Sequence, residues 1–307
     1  MALRTIEEIV ERAHICDVLE IQTEVIHAMC EYFKARGFKW MLPVMLSFVT
    51  DPLWPEPAGN HIMAPEIEVY GKKMKLMHSM ILHKQIAVSM GLERIFILSP
   101  NIRIEKPERD DGNHAYEFTQ LDFEIAHARM QDVMGIVEEC VCHTIERVRE
   151  LECLKNFCRE LPRFHTPFRI YTYDEVLREY GGDRELSKAM IEPVWITDIS
   201  REFYDRSDES MPGHTLNYDL ILPEGYGEVL SGGEREYEYE KIVIKLENAG
   251  LSVNSFWPYL EIAKRGMLKP SAGGGIGVER FVKYITGMRH IEDVQVFPRV
   301  PGVPSIV

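Results

Sequence analysis

Apolar residues recur along the chain at two spacings, and the spacing changes mark the elements. Thr5 with Glu8 forms a capping box, and Ile6, Ile9, Val10 and Ala13 follow at helical intervals. This predicts a helix through about Arg36, stopped by Gly37. FKWMLPVML predicts a short strand broken by Pro43, PEIEVYGKKMKLMHS a hairpin turning at Gly71, and MILHKQIAVSMGL a helix ending at Gly91. RIFILSPNIRIE and YEFTQLDFEIAHA predict two strands joined by a charged loop, KPERDDGNHA, with a long amphipathic helix, MQDVMGIVEECVCHTIERVREL, behind them. Residues 151–193 predict a small insertion with one short helix. Strands are then expected at PVWITDI, TLNYDLILP and GYGEVLSGGERE, helices at YEKIVIKLENAG and WPYLEIAKRG, and a Gly-rich strand running into a helix at GGGIGVERFVKYITGM. The sum is an α+β fold, an antiparallel β-sheet flanked by helices, without the strict alternation of a doubly wound sheet. No internal repeat or low-complexity tract interrupts it.

One strand resists the pattern. In YEFTQLDFEI, residues 116–125, one face carries Thr119, Leu121, Phe123 and Ile125, suited to packing on a helix. The other carries Phe118, Gln120, Asp122 and Glu124. Buried, unpaired carboxylates are too costly to keep. That face meets either solvent or a cationic ligand, and the pattern alone leaves both open.

Composition narrows the class. The 307 residues can bury a large core, and 35 Lys+Arg against 49 Asp+Glu give a net charge of −14. Such a balance weakens a broad nucleic-acid surface without excluding one. The N-terminal stretch is charged throughout, and no apolar run approaches the roughly 20 residues of a spanning helix. A cytoplasmic protein without membrane contact is expected. The six cysteines form no CxxC pair, and the cluster Cys140, Cys142 and His143 falls in a helical pattern, where packing is the simpler explanation.

Four stretches carry candidate chemistry. In IRIE, Arg103 and Glu105 share a strand face, and the chain returns beside them with Phe118, Gln120 and Asp122. This predicts a surface with a cation, a flat ring and acceptors, able to hold an anion in two-point fashion and stack a base. Surface salt bridges between two strands are the plainer alternative. SAGGGIGVERF is neither a Walker loop nor GxGxxG. Its glycines 273, 274, 275 and 277 would let backbone approach a ligand, with Arg280 aimed back from a helix start. GEVLSGGERE offers Glu228 and Ser231 as oxygen ligands suited to Mg²⁺ with nucleotide phosphates, and Arg235 as a fixed cation. HSMILHKQ places Ser79 and Lys84 around a helix start; Lys84 by itself reads as a surface lysine.

Taken together, Pro43 after the first helix, IRIE…EFTQLDFE and GGGIGVERF resemble, in order and spacing, the three signature motifs of class II aminoacyl-tRNA synthetases. EFTQLD, EVLSGGERE and the closing DVQVFPR look most like the aspartyl and asparaginyl members. The resemblance spans roughly residues 1–300. It implies a single catalytic domain over residues 1–307, with the small insertion at about 151–193. It implies an ATP site of Arg103, Glu105, His114, Phe118, Glu228 and Arg280, with Arg103 and Arg280 catalytic through their charge. Arg103 would meet the α-phosphate, Glu105 the adenine amino group, Phe118 the adenine face, and His114 and Arg280 the far phosphates. Glu228 and Ser231 would bind Mg²⁺. Ser79, Lys84, Gln120, Asp122 and Arg235 would hold the amino acid. In that set, Lys84 and Arg235 would grip the far carboxylate of aspartate, and Asp122 its ammonium. An amide there would leave two cations unmatched.

Departures from the family pattern redirect the expectation. The anticodon-gripping OB barrel that opens these synthetases is not seen before the first helix. Ile81 replaces a substrate-binding glutamine, Ser271 stands near a common histidine position, Lys269 resembles an insertion, and Asn113 replaces an arginine beside His114. The chain is therefore similar to AMP-forming asparagine synthetases of the archaeal type: L-aspartate, ATP and free ammonia would give asparagine, AMP and pyrophosphate, with tRNA not expected as a partner. Aspartate would then bind reversed, its α-carboxylate on Arg235 and Lys84. The alternatives are a paralogue that transfers the amino acid to an RNA or protein, and a non-catalytic regulatory paralogue, against which the retained arginines and the Glu228–Ser231 pair argue. The resemblance also implies a homodimer formed around Pro43.

Overall fold

The computed structural model describes residues 7, 10–53, 64–157, 159–200 and 203–303. The capping box expected at Thr5 and Glu8, with Ile6 and Ile9, lies outside them, as does Cys158. Residues 7 and 10 are helical, but residues 13 and 14 form a turn, with His14 at φ 61°, so the expected helix is interrupted and its main part, α1, runs Ile15–Ala35. Its buried stripe of Val18, Ile21, Val25, Ala28, Tyr32 and Phe33 follows helical spacing. Gly37, at φ +81°, ends the helical path as expected.

Two short strands, β1 (Lys39–Trp40) and β2 (Leu46–Ser47), flank Pro43. The hairpin of β3 (Glu66–Val69) and β4 (Lys72–Leu76) turns through Tyr70 and Gly71, both at positive φ, the combination a two-residue hairpin loop needs. Helix α2 (Ile81–Ser89) follows, then β5 (Arg94–Ile102), β6 (Glu117–Ala126) and α3 (Met130–Arg149).

The segment 151–193 departs from expectation. It holds a strand, β7 (Arg169–Thr172), and two helices, α4 (Tyr173–Tyr180) and α5 (Asp183–Ala189), rather than one short helix. Thr172 caps α4 and Glu175 returns the bond, a T-x-x-E signal present in the sequence. β7 pairs in parallel with β8 (Val194–Thr197), so the segment adds an edge to the main sheet. The helices between these two strands supply the crossover that parallel pairing requires.

The chain closes with β9 (Asn217–Leu222), β10 (Gly227–Glu234), α6 (Tyr239–Asn248), α7 (Trp257–Lys264), β11 (Ser271–Gly277) and α8 (Val278–Thr286). The main sheet has eight strands in the order β1-β5-β6-β11-β10-β9-β8-β7, and only the outermost pair at each end is parallel. The fold is thus α+β with a mixed, mainly antiparallel sheet. One face, with Phe96, Leu121, Phe123, Ala272, Ile276 and Leu230, packs on helices including α1, α3 and α8 to make the main core. Cys140 sits fully buried in that core, a packing role as expected. No helix among the described residues is long and apolar enough to cross a membrane.

Candidate active site

The opposite face of the sheet builds the site. Register sets Gln120 across from Ser99 and Gly277, Asp122 across from Ile97 and Gly275, and Glu124 across from Ile95 and Gly273. The carboxylates of the odd strand are not solvated: Asp122 is 2% exposed and Glu124 0%. Their room comes from the neighbouring glycines. A Cβ on Gly275 would lie 2.8 Å from Asp122 Oδ1, and one on Gly273 would strike the Glu124 carboxylate. These two glycines therefore admit buried acids, a different reason from the close ligand approach read in the sequence.

Each buried acid meets a buried cation. Lys84, on α2, donates from Nζ to Asp122 Oδ1 at 2.7 Å and to the Gly274 carbonyl at 3.0 Å. It is 2% exposed, so it is no surface lysine. Arg235, just past β10, donates through Nε and Nη2 to the two oxygens of Glu124 at 3.1 and 3.3 Å, and through Nη2 to the Gly273 carbonyl at 2.9 Å. Burial works against the guanidinium charge, but Glu124 outweighs it and raises the pKa. Ser271 Oγ donates to the same Glu124 at 2.8 Å. The expectation of two cations left unmatched by an amide is thus corrected: Lys84 and Arg235 each already own a carboxylate. What remains is a set of hydrogen-bond positions. Lys84 has three protons and uses two, while Nη1 of Arg235 comes no nearer than 3.7 Å to Asp205 Oδ1. Asp122 Oδ2 is buried with no hydrogen-bond partner among the described residues.

Lys84, Asp122 and Arg235 line an inner cavity of about 200 Å³ with Ser79, Ile81, Arg103, Gln120, Glu228 and Ser231. Gln120 is oriented by Asn101, whose Nδ2 donates to Oε1 at 2.8 Å. Arg103 is aimed by the His78 carbonyl, which accepts from Nε at 3.1 Å, and its guanidinium carbon lies 5.2 Å from the Phe118 ring centre. Sequence reasoning left Glu124 without a partner and missed Asp51 and Tyr204 altogether. Asp51, 4% exposed, accepts from Tyr204 Oη at 2.8 Å, and both line the cavity. TDPLWP and EFYDR carry no motif that would have singled them out.

An outer cavity of about 320 Å³ adjoins, sharing Arg103, Gln120 and Glu228 with the inner one, and is lined by Glu105, His114, Phe118 and Arg280. Glu105 Oε2 is buried without a hydrogen bond among the described residues, 3.6 Å from Arg109 Nε. His114 Nδ1 pairs with Asp111 Oδ1 at 2.8 Å, and Arg184 of α5 reaches Asp111 Oδ2 at 2.9 Å. Burial raises the Asp111 pKa, yet the His114 bond and the nearby charges hold it well below the usual range. Arg280 Nη1 donates to the Glu228 carbonyl at 2.9 Å and to its Oε1 at 3.2 Å. Every residue expected at the ATP or amino-acid site lines one cavity or the other.

Glu228 and Ser231 stand three apart on a strand, a spacing that would normally put them on opposite faces. A β-bulge between Glu228 and Leu230 inserts the extra residue that returns both to the inner cavity. Among the described residues no cluster of three or more His, Cys, Asp or Glu could hold a metal alone. A carboxylate and a hydroxyl on one face fit a hard cation such as Mg²⁺ whose other ligands are phosphate oxygens and water.

Comparison with known proteins decides the family. The model of "tRNA synthetases class II (D, K and N)" matches residues 5–301. The chain belongs to this class II synthetase family. It is 32% identical to an aspartate–tRNA(Asp/Asn) ligase of Methanopyrus kandleri, over 92% of this chain and 67% of that protein. It is 30% identical to an asparagine–tRNA ligase of Pyrococcus abyssi, over 93% and 68%. The structure superposes with TM-score 0.84 on asparaginyl-tRNA synthetase from Pyrococcus horikoshii in complex with asparaginyl-adenylate, at 26% identity, covering 94% of this chain and 70% of that one. Class II synthetases are ligases that use ATP and Mg²⁺, and the α+β architecture of this family member is the class II fold.

Proposed function

We propose that this class II synthetase-like chain is an AMP-forming asparagine synthetase that makes L-asparagine from L-aspartate, ATP and ammonia. The observation that carries the reading is the donor pattern on the inner floor. The spare proton of Lys84 and the Nη1 donors of Arg235 are both donors, and Asp122 Oδ2, on a residue lining the same cavity, is an acceptor without a hydrogen-bond partner among the described residues. A carboxylate accepts from both cations at once. An amide must turn its own NH₂ toward one of them and loses that bond, so the end of the substrate that sits here is a carboxylate, which aspartate offers at either end. The acceptor suits a substrate ammonium.

The same geometry favours reversed binding. Asp122 Oδ1 lies 2.7 Å from Lys84 Nζ, so a carboxylate on Lys84 and an ammonium on Asp122 must be close neighbours. In aspartate only the α-carboxylate shares a carbon with the ammonium. The β-carboxylate then points to Arg103, at the junction of the two cavities. Its oxygen attacks the α-phosphorus of ATP and pyrophosphate leaves; ammonia then attacks the β-acyl carbon, AMP departs and a proton is released. Phe118 and Glu105 hold adenine, and His114 and Arg280 hold the far phosphates. Mg²⁺ held by Glu228 and Ser231 would neutralise phosphate charge. Alignment and fixed positive charge supply the acceleration, with no protein nucleophile.

The names of the relatives support a second reading, in which the same adenylate is passed to tRNA. Product analysis with aspartate, ATP, Mg²⁺ and ammonium, with and without tRNA, separates the two. Free asparagine with equimolar AMP in the RNA-free reaction is expected. Aspartate-dependent pyrophosphate exchange without asparagine, together with charged tRNA, would replace the first reading by the second.

A further inference from the structure

We propose that Lys283 is a positioning residue that clasps the loop of residues 106–115 against α8 so that His114 faces the phosphates of ATP. The inference rests on the reading of the outer cavity as the ATP site. Lys283 lies three residues after Arg280, so both project from one side of α8. Arg280 enters the outer cavity; Lys283 does not. It is 4% exposed, and its Nζ donates to the Gly112 carbonyl at 2.8 Å and to Asn113 Oδ1. Gly112, at φ +79°, packs so tightly that a Cβ would lie 3.1 Å from the Arg289 carbonyl. Arg280 Nε donates to the Asn113 carbonyl at 3.3 Å. The two residues immediately before His114 are therefore held by two cations from one helix.

A carbonyl and an amide oxygen could be satisfied by water or a neutral donor, and burying an ammonium with no carboxylate among the described residues in contact is costly. Its charge is spent on holding the loop. Asp111 faces the ammonium from the loop, Arg280 from its own helix, and Arg289 and Asp293 from the segment after α8, while the Tyr226 ring centre lies 5.8 Å away. Desolvation pulls the Lys283 pKa down to about 8, with Arg280 adding to the fall. The clasp is charged at neutral pH and discharges above it.

The experiment is calorimetric titration of the full chain with Mg·ATP from pH 6.5 to 9.5, with circular dichroism and thermal unfolding as fold controls. Lys283→Met is expected to weaken ATP binding about tenfold at pH 7, the order of one lost charged hydrogen bond. Aspartate affinity should stay unchanged. Asn113→Ala should weaken ATP less, and in the Lys283→Met background it should add nothing. In the unsubstituted chain ATP affinity should fall through pH 8, and in Lys283→Arg, which keeps its charge, the fall should vanish while binding at pH 7 is retained. A folded Lys283→Met with undiminished ATP affinity, or an unchanged pH profile in Lys283→Arg, overturns the clasp alone. No Mg·ATP binding by the unsubstituted chain overturns the reading of the outer cavity, and the clasp with it.

Discussion

Arg235 and Glu124 meet through two parallel contacts, Nε to Oε1 at 3.1 Å and Nη2 to Oε2 at 3.3 Å, and neither residue is more than 3% exposed. This pair fixes the donor edge that the proposed substrate carboxylate would meet. Glu124→Gln should leave the guanidinium short of charge compensation and cost about 3 kcal/mol of stability, as breaking a buried pair does. Urea unfolding checks it. A loss below about 1 kcal/mol would mean that Asp205 and the Gly273 carbonyl suffice for Arg235.

Gly275 has a sharper prediction. Its missing side chain leaves space for Asp122 Oδ1 at 2.8 Å and Gln120 Nε2 at 3.0 Å from where a Cβ would stand. Gly275→Ala should displace the Asp122 carboxylate and raise the aspartate KM about tenfold, with the ATP KM little changed. Equal effects on both substrates would show that the glycine serves the whole sheet rather than the inner cavity.

Glu279, partly buried on α8, accepts the Thr119 N–H at 2.9 and 3.0 Å. Burial pushes its carboxyl from 4.5 up to about 7. The folded state then keeps a proton that the unfolded chain releases, so this group makes stability fall as pH rises from 4.5 to 7. Glu279→Gln cannot titrate. Relative to it, the unsubstituted chain should lose melting temperature across that window; parallel curves would show that folding leaves this carboxyl's pKa unshifted.

Around Pro43, Trp40 and Leu42 are 51% and 81% exposed beside the edge strand β1. Such a patch suits the homodimer that the family resemblance implies. Sedimentation should give a dimer mass for the unsubstituted chain and a monomer mass for Leu42→Asp. A monomer in both would show that this patch is not a dimer interface.

Much of this protein was legible in the sequence. Amphipathic spacing placed α3, and alternation placed β6, because an element with one buried face must repeat its apolar residues at a fixed spacing; apolar runs bounded by turn residues located β5, β9 and β10, and the glycine run located β11. The ordered motifs named Lys84, Arg103, Phe118, Asp122, Glu228 and Arg280, and the fold brings them to two adjoining cavities. The strand β7 was missed because four residues without strong alternation acquire strand character only by pairing with β8. Tertiary structure alone decided the pairings. Which cation answers Asp122 and which answers Glu124 depends on register between β6 and β11 and on the approach of α2, contacts between residues far apart in the chain. The bulge that turns Glu228 toward Ser231 and the seat of Lys283 under Gly112 are of the same kind. A sequence specifies which groups repeat along one element; only packing specifies which groups from different elements share a dry space, where charge must be matched.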